Sequence, residues 1–478
     1  MRPHPPSPAS HAGNNRPARR AAALAAGAAL ALGACRSVGP DYTPPDADEW
    51  PTVWKHTGSA ERLAQGDWWK EFGDSGLNKL IAQLEAANPD AAAALARVNQ
   101  SRAALGIAKA GQFPGISADG NSTVNRDSAN AGFQLRQGEF ERYRLGLNLD
   151  YEVDIWGRVR RLVEGAKARN EAADALYANA LLSLKAELTR HYFSLRELDA
   201  EIALLDSTVE LRREGRELIA AQAREGETSE LDLARAVAEL ETARADAAAL
   251  RRQRAALEAG IAALVGQSAS DFSLPPDAKA LSAPPKIPAG VPSELLSRRP
   301  DVAAAERDLA AASADVGVAI AETLPSIRLT GVGGLTSLSA TDFFNPASRF
   351  FEIGPQLNTP TLRFGLSEGN KARARAKFDE ALAAFRASLV AAFRDTETAL
   401  SALKHLADEL AAAQSAADAA AQAAKLSRAR YDNGLVSYLE VIDSERTRLA
   451  AERRLAQVKG QRLQSTAALV QALGGGWR

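Results

Sequence analysis

The chain is poor in the residues that usually build reactive or metal-binding sites. Its 478 residues include one cysteine, one methionine and five histidines, and aromatic residues make up only 6% of it. The histidines are scattered without the spacing that metal ligation needs, and neither a phosphate-binding loop nor a nucleophile elbow is present. We therefore predict no catalytic residue, no metal site and no cofactor, and we expect the protein not to be an enzyme.

The chain also lacks an excess of charge of either sign. It has 58 basic and 59 acidic residues, and no stripe of arginines and aromatic residues runs through it. Binding of nucleic acid depends on a basic surface, so we expect no nucleic-acid partner. The alanine-rich, leucine-punctuated composition that remains is typical of long helices.

The apolar run from Ala21 to Leu32 is too short to span a bilayer as a helix. It follows a basic stretch and leads through two small residues to Cys35. A lipoprotein signal peptidase cleaves such a sequence before its cysteine, and the cysteine is then acylated. We predict that residues 1–34 are a signal peptide and that Cys35 carries lipid. Arg36, in place of an aspartate, resembles lipoproteins that are sent on to the outer membrane.

One structural unit occurs twice in the sequence. Residues 89–120 align with residues 300–331 without a gap, and the segment around Gly226 matches the segment around Gly434. Such a repeat defines the architecture. We predict an extended tether over residues 35–73, a first repeat over 74–266, a proline-rich connector over 267–298 and a second repeat over 299–474.

Each repeat begins with a helix and continues into two segments in which apolar and polar residues alternate. This alternation predicts strands over residues 116–125, 143–154, 326–336 and 350–359. One face of residues 143–154 is wholly apolar and carries aromatic residues at its ends. The pattern fits a half-buried sheet of a soluble protein, and it also fits a transmembrane barrel.

Each repeat ends in two long helices, predicted over residues 158–223 and 229–264 and over residues 369–430 and 437–473. Leucines recur at alternating spacings of three and four residues from Leu181 to Val209, with His191 at one seam position, which indicates a coiled coil. At about 1.5 Å per residue the longer helices reach roughly 100 Å. In the second repeat the seam becomes all alanine from Ala413 to Ala424, so we expect neighbouring helices to approach closely there.

Four alternating strands cannot close a barrel, and an open strand edge is not stable in lipid. Three chains would supply about 12 strands, within the range of membrane barrels, whereas two would give about eight and a filled interior. The predicted fold class is mainly α with a membrane β part. In it, a long α-helical coiled-coil barrel continues into a 12-stranded β-barrel shared by three chains.

Five short motifs occur in a fixed order along this duplicated framework. They are the lipobox, residues 38–42 (Val-Gly-Pro-Asp-Tyr), residues 154–158 (Asp-Ile-Trp-Gly-Arg), residues 298–301 (Arg-Arg-Pro-Asp) and residues 472–477 (Ala-Leu-Gly-Gly-Gly-Trp). With them the mature chain resembles the outer membrane factor (TolC/OprM-like) family, in its lipoprotein efflux branch. The resemblance implies a homotrimeric outer membrane duct. Its implied partners are a periplasmic adaptor and an inner-membrane pump, usually of the resistance-nodulation-division type.

The resemblance also implies a gate, because acidic residues after the second helical turn close the periplasmic end in this family. The matching residues are Glu440 and Asp443, which share a helix face. Tyr431 matches a tyrosine of the same closure, and Asp232 is the first-repeat equivalent of Glu440. Val436 stands where a family member has a latching arginine. The alternative is that these carboxylates are ordinary solvated surface groups.

Two further sets of residues are predicted to have functions. The adaptor is expected to contact the two helical turns, represented by Gly226, Ser229, Gly434 and Ser437. The strand carboxylates Asp119, Asp150, Glu152 and Glu352 are expected to line the lumen and to favour cations.

Two other functions remain open from the sequence. The duct could serve a type I secretion system that exports polypeptides, because cargo is selected upstream of the duct. A non-conducting coiled-coil lipoprotein would account for the helices and the anchor, but not for the four alternating strands.

Overall fold

The computed structural model describes residues 37–45, 53–56, 66–128, 130, 138–278, 281–290, 298–360 and 364–476. The described chain is mostly helical with one four-stranded antiparallel sheet, in agreement with the predicted fold class. Cys35, the signal peptide and Trp477 lie outside the described residues, as do parts of the tether and of the connector.

The long helices have nearly the predicted bounds. The helices are α1 (Ser75–Ala87), α2 (Pro89–Ala110), α3 (Arg158–Arg224), α4 (Glu230–Leu264), α5 (Pro300–Ala321), α6 (Leu366–Asp432) and α7 (Tyr438–Ala472). The strands are β1 (Gly115–Arg126), β2 (Glu139–Val153), β3 (Ser326–Ser337) and β4 (Arg349–Asn358). None of the described helices contains a stretch long and apolar enough to cross a membrane.

The chain divides into two compact units. The first comprises Met1–Thr43, Arg102–Ala168 and Leu309–Glu380 and contains the sheet. The second comprises Pro44–Ser101, Arg169–Asp308 and Ala381–Arg478 and is built from helices.

The sheet of the first unit has strand order β1-β2-β3-β4. Its register brings the apolar positions of all four strands to one face, because Ile116 pairs with Leu149, Leu145 with Leu335 and Gly331 with Ile353. The alternation seen in the sequence is therefore confirmed. In the single chain this face is open to solvent, with Leu147 60% exposed and Phe351 85% exposed.

Strand β2 begins four residues earlier than predicted. Glu139 and Glu141 occupy positions on the otherwise apolar face, so the alternation of apolar and polar residues does not extend to the start of the strand. Glu139 nevertheless pairs with Arg126 at the end of the hairpin, and Phe140 between the two glutamates is buried.

The core of the second unit includes an element that the sequence reading missed. Residues 35–73 were expected to be extended, but Trp68–Phe72 form a 3₁₀-helix whose three aromatic side chains are buried. They pack in one cluster with Leu188, Leu195, Ile261 and Leu463. Five residues are too few to show a helical period, so this element could not be recognised by pattern.

The helix seams are buried largely as predicted, including Ala413, Ala417, Ala420 and Ala424. His191 is only half-buried. Polar contacts join α3 to α7, where Gln464 donates to Glu197 at 2.9 Å and Arg453 to Glu201 at 2.8 Å. Burial, with the neighbouring carboxylate of Glu201, raises the pKa of Glu197 to about 7.

Candidate functional site

The first turn of the second unit joins α3 to α4 and is closed by its own polar side chains. Gly226 has a φ of 80°, which glycine adopts without strain. Ser229 caps α4 by accepting from the Asp232 backbone N–H at 3.2 Å, and its hydroxyl donates to the Asp232 carboxylate at 2.7 Å. The hydroxyl's hydrogen bond lowers the pKa of Asp232. Asp232 is therefore a capping partner of Ser229.

The second turn joins α6 to α7 and is built differently. Gly434 again has a positive φ, of 70°, but Ser437 forms no side-chain capping hydrogen bond. Glu440, at the position equivalent to Asp232, instead forms an ion pair with Arg430 across the turn at 3.1 Å. The two repeats thus use the same carboxylate position for different contacts.

The two predicted gate carboxylates lie on one side of α7, and each has a basic neighbour that the sequence analysis did not identify. Glu440 faces Arg430, and Asp443 lies 3.7 Å from Arg446. Both carboxylate side chains are well exposed in the single chain, at 44% and 62%.

Arg446 also connects the two helical hairpins of this unit, which are α3 with α4 and α6 with α7. Its guanidinium donates to Glu239 of α4. Glu239 is largely buried and pairs with Arg212 of α3 at 3.1 Å as well. One carboxylate therefore holds arginines from both hairpins. This contact supplies an ion pair between the hairpins that Val436 cannot form.

Two tyrosines pack beside this ion pair. Tyr438 of α7 lies against Gly215 of α3, where the Cβ of any other residue would overlap the phenol oxygen. The Tyr431 ring centroid is 5.5 Å from that of Tyr438, and the Tyr431 hydroxyl lies 3.5 Å from the Gln222 side-chain oxygen. Tyr431 thus contacts the first hairpin, whereas among the described residues Glu440 and Asp443 form no hydrogen bond or ion pair with it. In the sequence, the only sign of this contact was Gly215, an isolated glycine within a long helix.

The four predicted lumen carboxylates share the polar face of the sheet in the first unit. Asp150 pairs with Arg328 at 2.5 Å, and Glu152 forms two hydrogen bonds with Arg158, at 2.8 and 2.7 Å. Asp119 accepts from Asn148, and no described residue forms an ion pair with Glu352. Arg142 and Arg144 lie on the same face by their pairing with Thr123 and Asn121. The face therefore carries basic groups that the prediction left out.

The start of the tether is bound to the first unit. The Val38 N–H donates to the Trp156 carbonyl at 3.0 Å. Arg161 is almost fully buried and pairs with Asp41 at 2.7 Å. Gly39 has a φ of 96°, and a Cβ there would lie 2.5 Å from the Cα of Gly317. The Val-Gly-Pro-Asp-Tyr motif thus holds the segment after Cys35 against the first unit.

The family model described as outer membrane efflux protein matches residues 80–267 and 291–475. The two matched segments correspond to the two halves of the sequence repeat and cover more than half of the chain. The chain belongs to the outer membrane efflux protein family. Outer membrane location and a role in efflux follow from this membership, and the family is one of efflux proteins rather than of enzymes.

Individual members of the outer membrane efflux protein family agree over nearly the whole length. Outer membrane protein OprJ of Pseudomonas aeruginosa is 31% identical over 461 residues, covering 94% of this chain and 94% of OprJ. Solvent efflux pump outer membrane protein SrpC of Pseudomonas putida is 31% identical over 460 residues, covering 94% of this chain and 97% of SrpC. The solved outer-membrane channel OprN has a TM-score of 0.85 at 32% identity, covering 92% of this chain and 99% of OprN.

Proposed function

We propose that three copies of this chain form one outer membrane exit duct of a tripartite efflux system. The observation that supports the proposal is the sheet with two different faces, one apolar and open to solvent in the single chain, the other polar and charged. β1 and β4 are its edge strands. In lipid their unpaired backbone groups need partners, and three copies joined edge to edge supply them in a barrel of about 12 strands.

The duct works with a periplasmic adaptor and an inner-membrane pump, which we infer to be of the resistance-nodulation-division type from the family. The adaptor contacts the turns at Gly226 and Ser229 and at Gly434 and Ser437. Exposed apolar side chains beside these turns support this assignment. They are Leu231, Leu435 and Leu439, which are 58%, 69% and 43% exposed.

The cargo consists of small molecules or drugs. SrpC is named as part of a solvent efflux pump, which supports small apolar cargo over the polypeptides of a type I secretion system. Any cation preference of the lumen rests on Asp119 and Glu352, since Asp150 and Glu152 are paired with arginines and Arg142 and Arg144 add two positive charges to the same face.

Cys35 carries the lipid anchor. Only two residues separate it from Val38, which is hydrogen-bonded to the end of β2 through Trp156. At no more than about 3.6 Å per residue, the cysteine lies within roughly 11 Å of Val38. Acyl chains attached there would enter the same membrane as the sheet.

The gate comprises Glu440 and Asp443, repeated three times around the axis, with Tyr431 beside them. Asp232 is its weakest candidate member, because its carboxylate already caps α4. Each carboxylate ring narrows the opening, and the Glu440 ion pair with Arg430 holds the second turn in place.

The double variant Glu440→Ala, Asp443→Ala tests this function. In planar bilayers the wild-type protein is expected to form channels, and the variant is expected to conduct several-fold more current, because two carboxylates per chain leave the constriction. The matched control is Glu445→Ala, Glu452→Ala, which removes two charges from the same helix that both pair with Arg448. A wild-type protein that never conducts would refute the duct, and equal currents in both double variants would refute the gate.

A further inference from the structure

We propose that the polar face of the sheet carries a subsite for planar aromatic carboxylates, formed by Phe140, Arg142, Arg144 and Phe350. This set is called the arginine–phenylalanine band below. The inference rests on the proposed function in one respect, which is that this face lines the conduit.

The four residues lie together at the hairpin-turn end of the sheet. Arg144 pairs with Asn121 on β1 and with Thr336 on β3, and Phe350 of β4 pairs with Gly334. Since partners in register share a face, all four side chains of the band are on the face that carries Asp119 and Glu352. The acidic pairs with Arg328 and Arg158 lie toward the opposite end of the strands.

Both arginines stack on aromatic rings. The Arg142 Cζ lies 5.6 Å from the centroid of Phe140, and the Arg144 Cζ lies 5.0 Å from the centroid of Phe350. Arg144 is on β2 and Phe350 on β4, so the arginine must reach over β3. Gly334 gives β3 no side chain at the paired position, which leaves room for that reach. The guanidinium groups are therefore held in place before any ligand arrives.

The band differs from the rest of the face in its charge balance. Arg328 and Arg158 are paired with carboxylates, whereas none of the described carboxylates forms an ion pair with Arg142 or Arg144. The Arg144 Nε is buried and has no hydrogen-bond partner among the described residues. A guanidinium that stacks on a ring through one face keeps its in-plane N–H groups for an anion.

The chemistry selects the ligand class. A carboxylate matches the fork of one guanidinium, and the aromatic ring attached to it can stack on the open face of the other guanidinium, opposite the face that packs on Phe350 or Phe140. Neither a simple anion nor a neutral aromatic molecule uses both parts. The band therefore favours aromatic carboxylates over acetate and over phenols.

Equilibrium dialysis of 2-naphthoate against the purified full-length protein, with the same detergent on both sides, tests the inference. Wild type is expected to bind 2-naphthoate in preference to acetate and 2-naphthol. Arg142→Gln, Arg144→Gln should weaken that binding by roughly tenfold, because two charge contacts from half-buried arginines are lost. Phe350→Leu, which keeps both charges, should weaken 2-naphthoate binding several-fold and leave acetate unchanged.

Arg126→Gln is the matched control, because it removes one positive charge at the same end of the sheet but from the opposite face. Equal binding by wild type and the double arginine variant, or equal losses in the control, would overturn the subsite. Current measurements separate this result from the proposed function. A protein that binds 2-naphthoate through Arg142 and Arg144 but never conducts retains the subsite and refutes the duct.

Discussion

Arg446→Ala is expected to raise the open probability of the channel in planar bilayers by about tenfold. Arg446 joins the two hairpins through Glu239 and also lies beside Asp443. Its side chain is 55% exposed, so each copy of the ion pair contributes only about 0.5 kcal/mol. Three copies act on one gate, so their free-energy contributions add. The ratio of open to closed channels is therefore expected to rise roughly tenfold.

Arg448→Ala is the control for this result. Arg448 lies on the same helix but pairs only with Glu445 and Glu452 of its own helix among the described residues. It should leave the open probability at the wild-type value. If Arg446→Ala and Arg448→Ala behave alike, the ion pair between the hairpins does not hold the gate closed.

Leu147→Arg is expected to abolish assembly of the protein in the outer membrane. Leu147 lies near the middle of β2 on the apolar face and is 60% exposed in the single chain. An arginine facing lipid at the midplane of a membrane barrel costs about 2–4 kcal/mol. Three chains would each bear this cost, so the heat-modifiable trimer on gels should decrease by more than about 100-fold.

The adjacent variant Asn148→Arg separates the effect of the face from the effect of the charge. Asn148 points to the polar face, where it donates to Asp119, so an arginine there gains a carboxylate neighbour. We expect a near-normal amount of trimer. Equal loss in both variants would mean that the apolar face does not meet lipid.

The sequence predicts the parts of this fold that depend on local periodicity. Alternation along residues 143–154 identifies β2 and its two faces, and the glycines at 226 and 434 mark the turns. The pattern fails where residues depart from the period for other reasons. Glu141 occupies a position on the apolar face of β2, and Trp68–Phe72 are too short to show a period.

The candidate site is less predictable, because its contacts join residues that are distant in sequence. Glu440 and Asp443 were found through family resemblance, but their arginine partners and Glu239 were not. Nothing in the spacing of Arg446 and Glu239 links them before the two hairpins pack together. The same holds for the arginine–phenylalanine band, in which Arg144 and Phe350 belong to different repeats.

The location and the mass of the protein without its lipid test whether three copies close one barrel through their sheets. The measurement is native mass spectrometry of Cys35→Ser protein, exported behind a non-lipoprotein signal sequence and extracted from outer membranes with detergent. The protein is expected to remain in the membrane fraction and to have the mass of three chains. A soluble protein, or a membrane-bound protein with the mass of one chain, would contradict the shared barrel.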